Sequence, residues 1–383
     1  MSTTPTPTTG PRRSALWRWL ARLLVVIASV AVALTVAEVG LRAFLPMTGA
    51  SAPDPRRPRR HAVDPGWPYL YAMNPAARGL SSQGLRDREF ALPKPDGVLR
   101  ILVLGDSIPY GPRVPGEKTF PKVLERELRR QRPTAEVINA GVRGYTTYNE
   151  LQYYLHRGRE FQPDLVVVTL CLNDVSDPQL HWDALGKSIP SVPAEAIPNP
   201  RYHREHILPA LRFYQLRNSP SLLVRFFSAR LYRRWSAWRL ERQGYEEADG
   251  GRRPIFLSRE DTLSIKVLLD PASPEAMWLR RMVDRLAAAV ATDGARLVVL
   301  VMPLAYQLDA GYPYMPQEAW IAGYCAEARL DCLDALNVLK EHRKEEMFLL
   351  HQARALDIWH LTERGHEVVG NELARWLGYH GYL

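Results

Sequence analysis

One stretch constrains the fold of this chain more than any other. An apolar run of strand length, residues 99–104, ends abruptly at the tripeptide Gly105-Asp106-Ser107. A run bounded by such a turn signal is typical of a buried parallel strand. Apolar residues at helical spacing begin at Phe120, with Thr119 as a predicted N-cap. A strand followed by a helix places Ser107 at the carboxyl end of the strand, where ligands bind in open α/β sheets.

The rest of the chain continues the same alternation of strands and helices. Further strands are predicted at four short apolar runs, Glu136–Asn139, Leu165–Leu170, Leu297–Val301 and Leu330–Leu333. Helices are predicted at Phe120–Arg130, Tyr148–Arg159, Pro274–Ala291, Pro316–Ala328, within Leu336–Leu350, and at Glu363–Leu377 with Thr362 as N-cap. Five strands that alternate with helices imply an α/β fold whose parallel sheet is covered on both faces.

The N-terminal segment has the pattern of a membrane-spanning helix. Residues 1–22 contain four arginines and no acidic residue, and residues 23–45 are apolar apart from Glu38 and Arg42. Such a run can span a bilayer if the flanking charges reach the interface. The arginine excess predicts a cytoplasmic tail over residues 1–22, a signal anchor over 23–45, and an extracytoplasmic remainder. A cleaved signal peptide is the alternative, because Ala31-Val32-Ala33 resembles a cleavage site.

Two segments interrupt the regular alternation. Residues 46–98 are rich in Pro, Arg and turn residues, and they are predicted to be a linker and lead-in whose arginines meet lipid phosphates or solvent. An insertion covers about residues 175–272 and contains a cationic amphipathic helix candidate at Ser221–Arg242. That helix either packs on the core with a solvated basic face or lies as an interfacial lid near lipid headgroups.

Charge and cysteine content limit the possible partners. The net charge of +9 suits a membrane surface or a polyanion. No nucleic-acid motif accompanies the charge, so no nucleic-acid partner is expected. No metal-ligand spacing, phosphate loop or dinucleotide fingerprint is present, so neither metal nor cofactor is expected. Cys325 and Cys332 are seven residues apart, and they either pair in an oxidising compartment or remain free thiols.

Three further polar signals follow predicted strands or precede the last helix. A glycine-rich turn, Asn139–Tyr145, follows the second strand and contains Gly144. Asn173 follows the third strand and offers a side-chain amide. Asp357 and His360 lie three residues apart, just before the last helix. Because parallel strands end at one edge of a sheet, these groups are expected to meet Ser107 there.

Together these residues provide the groups that an acyl-transfer reaction requires. Ser107 would attack the acyl carbon, His360 would accept its proton, and Asp357 would orient the imidazole. The backbone N–H groups of Ser107 and Gly144, with the Asn173 amide, would surround the developing oxyanion. The sequence therefore predicts a serine nucleophile with a complete set of supporting groups.

In this order and spacing, the residues resemble those of the SGNH hydrolases, also called the GDSL family. The residues that name the family fall on Ser107, Gly144, Asn173 and His360, and the family's Asp falls on Asp357. The resemblance covers about residues 99–377. It implies a flavodoxin-like three-layer α/β/α fold, with a hydrolase domain over residues 99–383. The motif at residues 82–87, Ser-Gln-Gly-Leu-Arg-Asp, and the N-terminal span also resemble those of membrane-anchored bacterial members.

Two positions depart from the family pattern. Cys171 replaces a glycine that usually begins the third motif, and residues 108–111 differ from the more frequent residues after the serine. Both changes are expected to alter the shape of the pocket without removing a reacting group. His366 is expected to pack or hydrogen-bond rather than act as a second base. Asp106 is expected to hydrogen-bond to the glycine-rich turn, and Asp174 is also expected to be structural.

The resemblance and the N-terminal pattern together imply a function. The chain is expected to be a single-pass membrane protein whose catalytic domain lies in the periplasm or at the cell surface. It is expected to act as a serine esterase on O-acyl groups, O-acetyl groups above all, of a glycan or related ester. The alternatives are an O-acyltransferase that uses the same serine and a catalytically silent binding protein.

Overall fold

The computed structural model of the protein describes most of the chain outside the linker and the insertion. The described residues are 12–44, 61–63, 67, 69–175, 192–208, 216, 219, 221–228, 230, 231, 234, 270–309, 316–350 and 357–383. The chain divides into two compact units, Met1–Pro55 with Ala210–Glu246, and Arg56–Pro209 with Glu247–Leu383. Part of the predicted insertion helix, residues 229, 232, 233 and 235–242, lies outside the described residues.

The second unit is built on a five-stranded parallel sheet. The strands in the described residues are β1 His61–Val63, β2 Tyr71–Met73, β3 Arg100–Leu104, β4 Glu136–Asn139, β5 Leu165–Leu170, β6 Arg296–Val301 and β7 Asp331–Asp334. The large sheet has the order β4-β3-β5-β6-β7, with every pair parallel. This is the flavodoxin-like order. From β3 the chain first adds β4 on one side of the sheet and then adds β5, β6 and β7 on the other side. The predicted α/β fold is therefore confirmed.

The first unit contains the helix α1 Arg12–Phe44. In the described part of the second unit the helices are α2 Ser107–Tyr110, α3 Phe120–Leu128, α4 Thr147–His156, α5 Pro274–Thr292, α6 Pro316–Ala328, α7 Leu336–Leu339, α8 Lys344–Met347 and α9 Glu363–Tyr379. Shorter helical turns lie at Gly116–Lys118, Gly158–Phe161, Leu172–Val175, Ala194–Ala196, Pro200–Tyr202, His203–Ile207 and Ala305–Leu308. Helix α3 packs against α9 and α4 against α5, so the sheet is enclosed between paired helices.

The apolar strands are explained by burial on both faces. Every residue of β3 and β5 is buried, which matches the continuous apolar runs in the sequence. Arg100 is also fully buried at the start of β3. Its Nε and Nη2 donate to the Glu136 carboxylate at 2.8 and 2.5 Å, and its Nη1 donates to the carbonyl oxygens of Ala91 and Phe161. The buried charge is therefore paired and hydrogen-bonded.

Three segments differ from the sequence-based prediction. The helix predicted within 336–350 is split into α7 and α8, because residues 340–343 between them are all polar and offer no apolar face to the core. The helix predicted to reach Arg159 ends at His156, and a 3₁₀ turn follows. The lead-in contains the antiparallel pair β1–β2, which was not predicted. Its strands of three residues are too short to show the alternation of apolar and polar residues that marks a strand.

The close approach of α3 and α9 leads to a testable prediction. A Cβ added at Gly370 would lie 2.6 Å from the Val123 Cβ and 2.8 Å from the Phe120 carbonyl oxygen. We therefore expect Gly370→Ala to lower the free energy of unfolding by about 1–3 kcal/mol, as other overpacked cores do. Gly378→Ala on the same helix is the control, because its nearest new neighbour would be the Leu383 Cδ1 at 3.5 Å. Urea unfolding followed by circular dichroism measures both, and equal midpoints would contradict the prediction.

Candidate active site

Ser107 is the first residue of α2 and follows β3 through a tight turn. A Cβ at Gly105 would lie 2.5 Å from the Pro109 Cγ, so only glycine fits between strand and helix. Asp106 is the N-cap of α2, and its carboxylate accepts a hydrogen bond from the Ile108 N–H at 2.8 Å. The turn thus holds the Ser107 hydroxyl at the carboxyl edge of the sheet, where it is partly exposed.

A continuous chain of hydrogen bonds joins three of the predicted site residues. The Ser107 Oγ lies 2.8 Å from the His360 Nε2, and the His360 Nδ1 lies 2.8 Å from both carboxylate oxygens of Asp357. Asp357 is buried and also accepts the backbone N–H groups of Trp359 and His360 at 3.3 and 3.1 Å. Arg113 donates to the Asp357 Oδ2 at 3.3 Å. The arrangement can move a proton from the serine to the imidazole.

The two predicted oxyanion groups beside Ser107 lie on neighbouring strand ends. Gly144 lies between β4 and α4 with φ +78°, a left-handed conformation that favours glycine. Within the described residues, the backbone N–H groups of Ser107 and Gly144 have no hydrogen-bond acceptor in the protein. Asn173 lies in the 3₁₀ turn Leu172–Val175, directly after β5. Because β4, β3 and β5 are adjacent, these segments meet at one edge of the sheet.

Asn139, the last residue of β4, locks the glycine-rich turn against α2. Its Nδ2 donates to the Pro109 carbonyl at 2.6 Å, and its Oδ1 accepts from the Gly141 N–H at 3.0 Å. The Asn139 N–H donates to the Asp87 carboxylate at 3.0 Å. A Cβ at Gly141 would lie 2.5 Å from the Tyr110 backbone nitrogen. The role of the Asn139 side chain was not predicted from the glycine-rich turn in the sequence.

Arg86 supports the loop after Ser107, and sequence reasoning missed its role. Its guanidinium donates to the carbonyl oxygens of Tyr110, Gly111 and Val114. Arg86 lies in the motif at residues 82–87, which resembles that of membrane-anchored members of the family. The adjacent Arg86 and Asp87 of this motif were the sequence signal for these contacts. Arg86 bonds to the loop after Ser107, and Asp87 bonds to Asn139 at the start of the glycine-rich turn.

Tyr71 in the β1–β2 pair supports the loop that carries Gly144. Its hydroxyl donates to the Arg143 carbonyl at 3.2 Å, immediately before Gly144. On the following helix, Asn149 donates through its Nδ2 to the Tyr69 carbonyl at 3.0 Å. The predicted lead-in is therefore part of the platform of the site, although its turn-rich composition gave no sign of this.

A pair of buried carboxyl groups lies behind the site. The Asp174 Oδ2 accepts the Cys171 N–H at 2.5 Å, while the Glu150 carboxylate has no hydrogen-bond partner within the described residues. Burial, followed by the negative charges of Asp174 and Asp106, raises the pKa of Glu150 well above its usual range. Burial and the charge of Asp106 raise the pKa of Asp174 in the same way. Asp174 is structural, as expected, and Glu150 was not singled out in the sequence.

The Asp106 contacts differ in part from the expectation. Its carboxylate binds within its own turn, to the Ile108 N–H, and it accepts from the Ser107 hydroxyl at 3.3 Å. It also lies 3.8 Å from the Cys171 Sγ. In the glycine-rich turn, the side-chain bond to Gly141 comes from Asn139 rather than from Asp106. A glycine, which is usual at this position in the GDSL family, would have no side chain to make the contact between Cys171 and Asp106.

His366 is a buried histidine of α9 that packs against the start of α3. Its Nδ1 accepts the Phe120 N–H at 3.1 Å, and the two rings are stacked. Burial, followed by the charges of His360 and Arg86, lowers the pKa of His366 to about 3. The imidazole is therefore neutral near pH 7, with the Nδ1 held as an acceptor.

The lowered pKa of His366 predicts that the protein loses stability in mild acid. Below its unfolded pKa of 6.5 the unfolded chain binds a proton that the folded chain, with a pKa of about 3, does not. The neutral, buried His366 therefore contributes to the free energy of unfolding in full above pH 6.5. As the pH falls below 6.5, this contribution decreases by up to about 1.4 kcal/mol per pH unit. His366→Gln retains an acceptor for Phe120 and should remove this part of the slope. Urea unfolding between pH 7 and 4.5 tests it, and an unchanged slope in the variant would refute it.

The structure also joins two of the three cysteines. Cys325 in α6 and Cys332 in β7 form a disulfide with their Cα atoms 6.2 Å apart, and Cys171 is free and buried. Of the two alternatives left open by the sequence, the structure therefore has the disulfide. The disulfide links helix α6 to β7, the strand that follows it in sequence and lies at the edge of the sheet.

Comparison with known proteins gives one family match and several distant similarities. An arylesterase of Vibrio mimicus is 37% identical over 75 residues, which are 20% of this chain and 38% of that protein. The aryl esterase of M. smegmatis is 15% identical with a TM-score of 0.36, covering 73% of this chain and 98% of that one. Est24, a carbohydrate acetylesterase from Sinorhizobium meliloti, is 13% identical with a TM-score of 0.36 and the same coverage.

The family match extends through most of the chain. The model of the GDSL-like lipase/acylhydrolase family matches residues 103–368, from within β3 into α9. This range includes the end of the strand before Ser107, the insertion, and the loop that carries His360. The resemblance inferred from the motifs is thereby confirmed. The chain belongs to the GDSL-like lipase/acylhydrolase family.

Proposed function

We propose that this enzyme is an extracytoplasmic serine esterase that removes O-acyl groups, O-acetyl groups above all, from a glycan or related ester. The observation that carries the proposal is the hydrogen-bond chain from the Ser107 Oγ through His360 to the buried Asp357. We favour hydrolysis over acyl transfer, because the family is one of lipases and acylhydrolases.

In the proposed reaction, the Ser107 Oγ attacks the acyl carbonyl carbon while the His360 Nε2 takes the hydroxyl proton. The oxyanion of the tetrahedral intermediate accepts hydrogen bonds from the Ser107 and Gly144 N–H groups and the Asn173 amide. When the intermediate collapses, the alcohol leaves with the proton from His360. Water then attacks the acyl-serine while His360 takes its proton, and His360 returns that proton to the Ser107 Oγ as the acid product leaves. Asp357 keeps the imidazole oriented and stabilises its cation.

Two observations support a location outside the cytoplasm. The described residues contain one helix, Leu16–Ala43, long and apolar enough to cross a membrane, a test that signal sequences also pass. Arginines precede its apolar part, which favours a cytoplasmic N-terminus. The disulfide between Cys325 and Cys332 is typical of an oxidising compartment. An anchored enzyme there meets the glycans of the cell envelope, and this is the reason for the proposed substrate class.

The proposed topology predicts the behaviour of a reporter fusion. Alkaline phosphatase joined after Leu383 is expected to be active, because that enzyme requires export to form its own disulfides. The fusion should also remain with membranes after a carbonate wash if α1 is retained as an anchor. A fusion to residues 1–22 alone is the cytoplasmic control and should be inactive. An inactive full-length fusion would place the catalytic unit in the cytoplasm and remove the envelope-glycan substrate.

The substrate class is tested by profiling acyl groups and carriers. The full-length enzyme in detergent is assayed with p-nitrophenyl esters of increasing chain length and with acetylated glycans, and acetate release is measured. We expect the highest kcat/KM for acetyl esters and release of acetate from at least one glycan. Ser107→Ala gives the background rate. A preference for long acyl chains, with no acetate released from glycans, would overturn the glycan proposal and leave a lipid esterase.

A further inference from the structure

The end of α1 is joined to the insertion through one carboxylate within the first unit. Glu38 accepts hydrogen bonds from the Ser221 hydroxyl at 2.8 Å and from the N–H groups of Leu222 and Leu223 at 2.9 and 3.0 Å. Residues 222–228 are helical, so Glu38 supplies acceptors to the first free N–H groups of that helix. Arg42, one turn further along α1, donates to the same carboxylate at 2.8 Å. The carboxylate thus acts as a cap provided by a distant helix.

The position of Glu38 on α1 sets the depth of this contact relative to the bilayer. The uncharged run from Leu23 to Ala37 ends directly before Glu38, and the span window within α1 has none of its residues buried in the protein. Fifteen helical residues rise about 22 Å, compared with about 30 Å for the hydrocarbon core of a bilayer. If α1 is the proposed anchor, Glu38 lies near the outer hydrocarbon boundary. The helix that begins at Ser221 then starts at the level of the lipid headgroups.

One face of the docked helix combines large apolar side chains with arginines. Phe226, Phe227 and Leu231 are 36%, 61% and 56% exposed. Arg230 and Arg234 are exposed as well, and all five positions follow helical spacing on one face. The Arg230 guanidinium lies 3.9 Å from the centre of the Phe226 ring. The aliphatic stem of an arginine can lie along such an apolar face while its guanidinium reaches the polar layer above it, so this face suits the boundary between acyl chains and headgroups.

We propose that the described residues 221–228, 230, 231 and 234 belong to an interfacial helix, docked on the membrane anchor by Glu38, that binds anionic phospholipids. Phe227 and Leu231 enter the acyl boundary, while Arg230 and Arg234 bind lipid phosphate groups. The bilayer is the occupant that the structure favours, because the cap on α1 holds this cationic, apolar face at the headgroup level. The inference rests on the proposed anchor and goes beyond it, since it adds a second membrane-binding element.

The test uses the full-length protein in vesicles and a fluorescent label on the exposed face. Phe227→Cys is labelled with an environment-sensitive dye, because the native thiol is buried and the other cysteines are paired. Vesicles contain phosphatidylcholine with or without phosphatidylglycerol, and their acyl chains carry bromine as a quencher. Tyr379→Cys, at an 88% exposed position of α9, is the control. Leu231→Cys replaces Phe227→Cys if the first variant does not fold.

We expect the label at position 227 to be strongly quenched, and more so in vesicles that contain phosphatidylglycerol than in phosphatidylcholine alone. The label at position 379 should be quenched little in either mixture. Glu38→Gln removes a charged cap, so the quenched fraction at 227 should fall about fivefold, in line with the loss of an N-cap. Thr35→Val, one turn earlier on α1, removes only a bond to the Ala31 carbonyl and should leave the quenching unchanged. Arg230→Gln with Arg234→Gln should abolish the difference between the two lipid mixtures.

The outcomes separate this inference from the anchor on which it rests. A label at 227 that is not quenched, in protein that stays with membranes after a carbonate wash, would overturn the interfacial helix and leave the anchor intact. Release of the protein by carbonate would refute the anchor itself. Equal quenching in both lipid mixtures would overturn the assignment of anionic phospholipid. Quenching that persists in Glu38→Gln would overturn the role of Glu38 as the docking residue.

Discussion

Replacing Ser107 by Ala is expected to lower kcat/KM for ester hydrolysis by about 10³-fold or more. The substitution removes the attacking oxygen, which lies 2.8 Å from the His360 Nε2. His360→Ala removes the proton acceptor and is expected to have a comparable effect, because an unassisted serine hydroxyl is a weak nucleophile. Rates are measured with p-nitrophenyl acetate, after circular dichroism has shown that each variant is folded.

The double variant provides the sharper test of the same mechanism. If Ser107 and His360 act as one unit, losing both should cost little more than losing either, because the first substitution already abolishes the proton transfer. His156→Ala, at an exposed position at the end of α4, is the matched control and should keep full activity. Losses that multiply in the double variant would show that Ser107 and His360 do not share one step.

Asn173→Ala is expected to lower kcat by about 10²–10³-fold with little change in KM. The side-chain amide would donate to an oxygen that carries full negative charge only in the transition state, so its loss affects the chemical step and not the binding of the ester. The position of Asn173, in the turn directly after β5 and beside the strand that carries Ser107, is the basis of this prediction.

The two kinetic constants distinguish the possible roles of Asn173. Asn337→Ala, on the short helix α7, is the control for removal of an exposed asparagine and should leave both constants unchanged. A higher KM with an unchanged kcat would place Asn173 in substrate binding instead. Unchanged values of both constants would leave the oxyanion to the backbone N–H groups of Ser107 and Gly144.

The parts of the fold that sequence predicted are those that depend on local pattern. Strands β3 and β5 appear as apolar runs because a parallel strand is buried on both faces, so every position requires an apolar side chain. Thr362 was predicted as the N-cap of α9, and its hydroxyl does accept the Gly365 N–H at 3.0 Å. A cap acts over three residues, and such short-range constraints are legible in sequence.

The same reasoning explains why the proposed triad could be selected from sequence. Asp357 and His360 are three residues apart, so one short loop brings the carboxylate to the imidazole and to the His360 backbone N–H. Ser107 lies 253 positions from His360, yet its place at the end of a parallel strand puts it at the common edge of the sheet. The rule of the fold, rather than any contact pattern in sequence, supplied that long-range pairing.

Tertiary structure alone decided the contacts that support this edge. Tyr71 and Arg86 bond to carbonyl groups 72 and at least 24 residues away, and Glu38 caps a helix 183 residues downstream. A backbone carbonyl occurs at every residue, so no side-chain pattern marks the partner. The isolation of Glu150 and the pairing of Cys325 with Cys332 likewise depend on distances that folding creates. Sequence therefore determined the sheet and the proposed reacting groups, while three-dimensional packing determined what holds them in place.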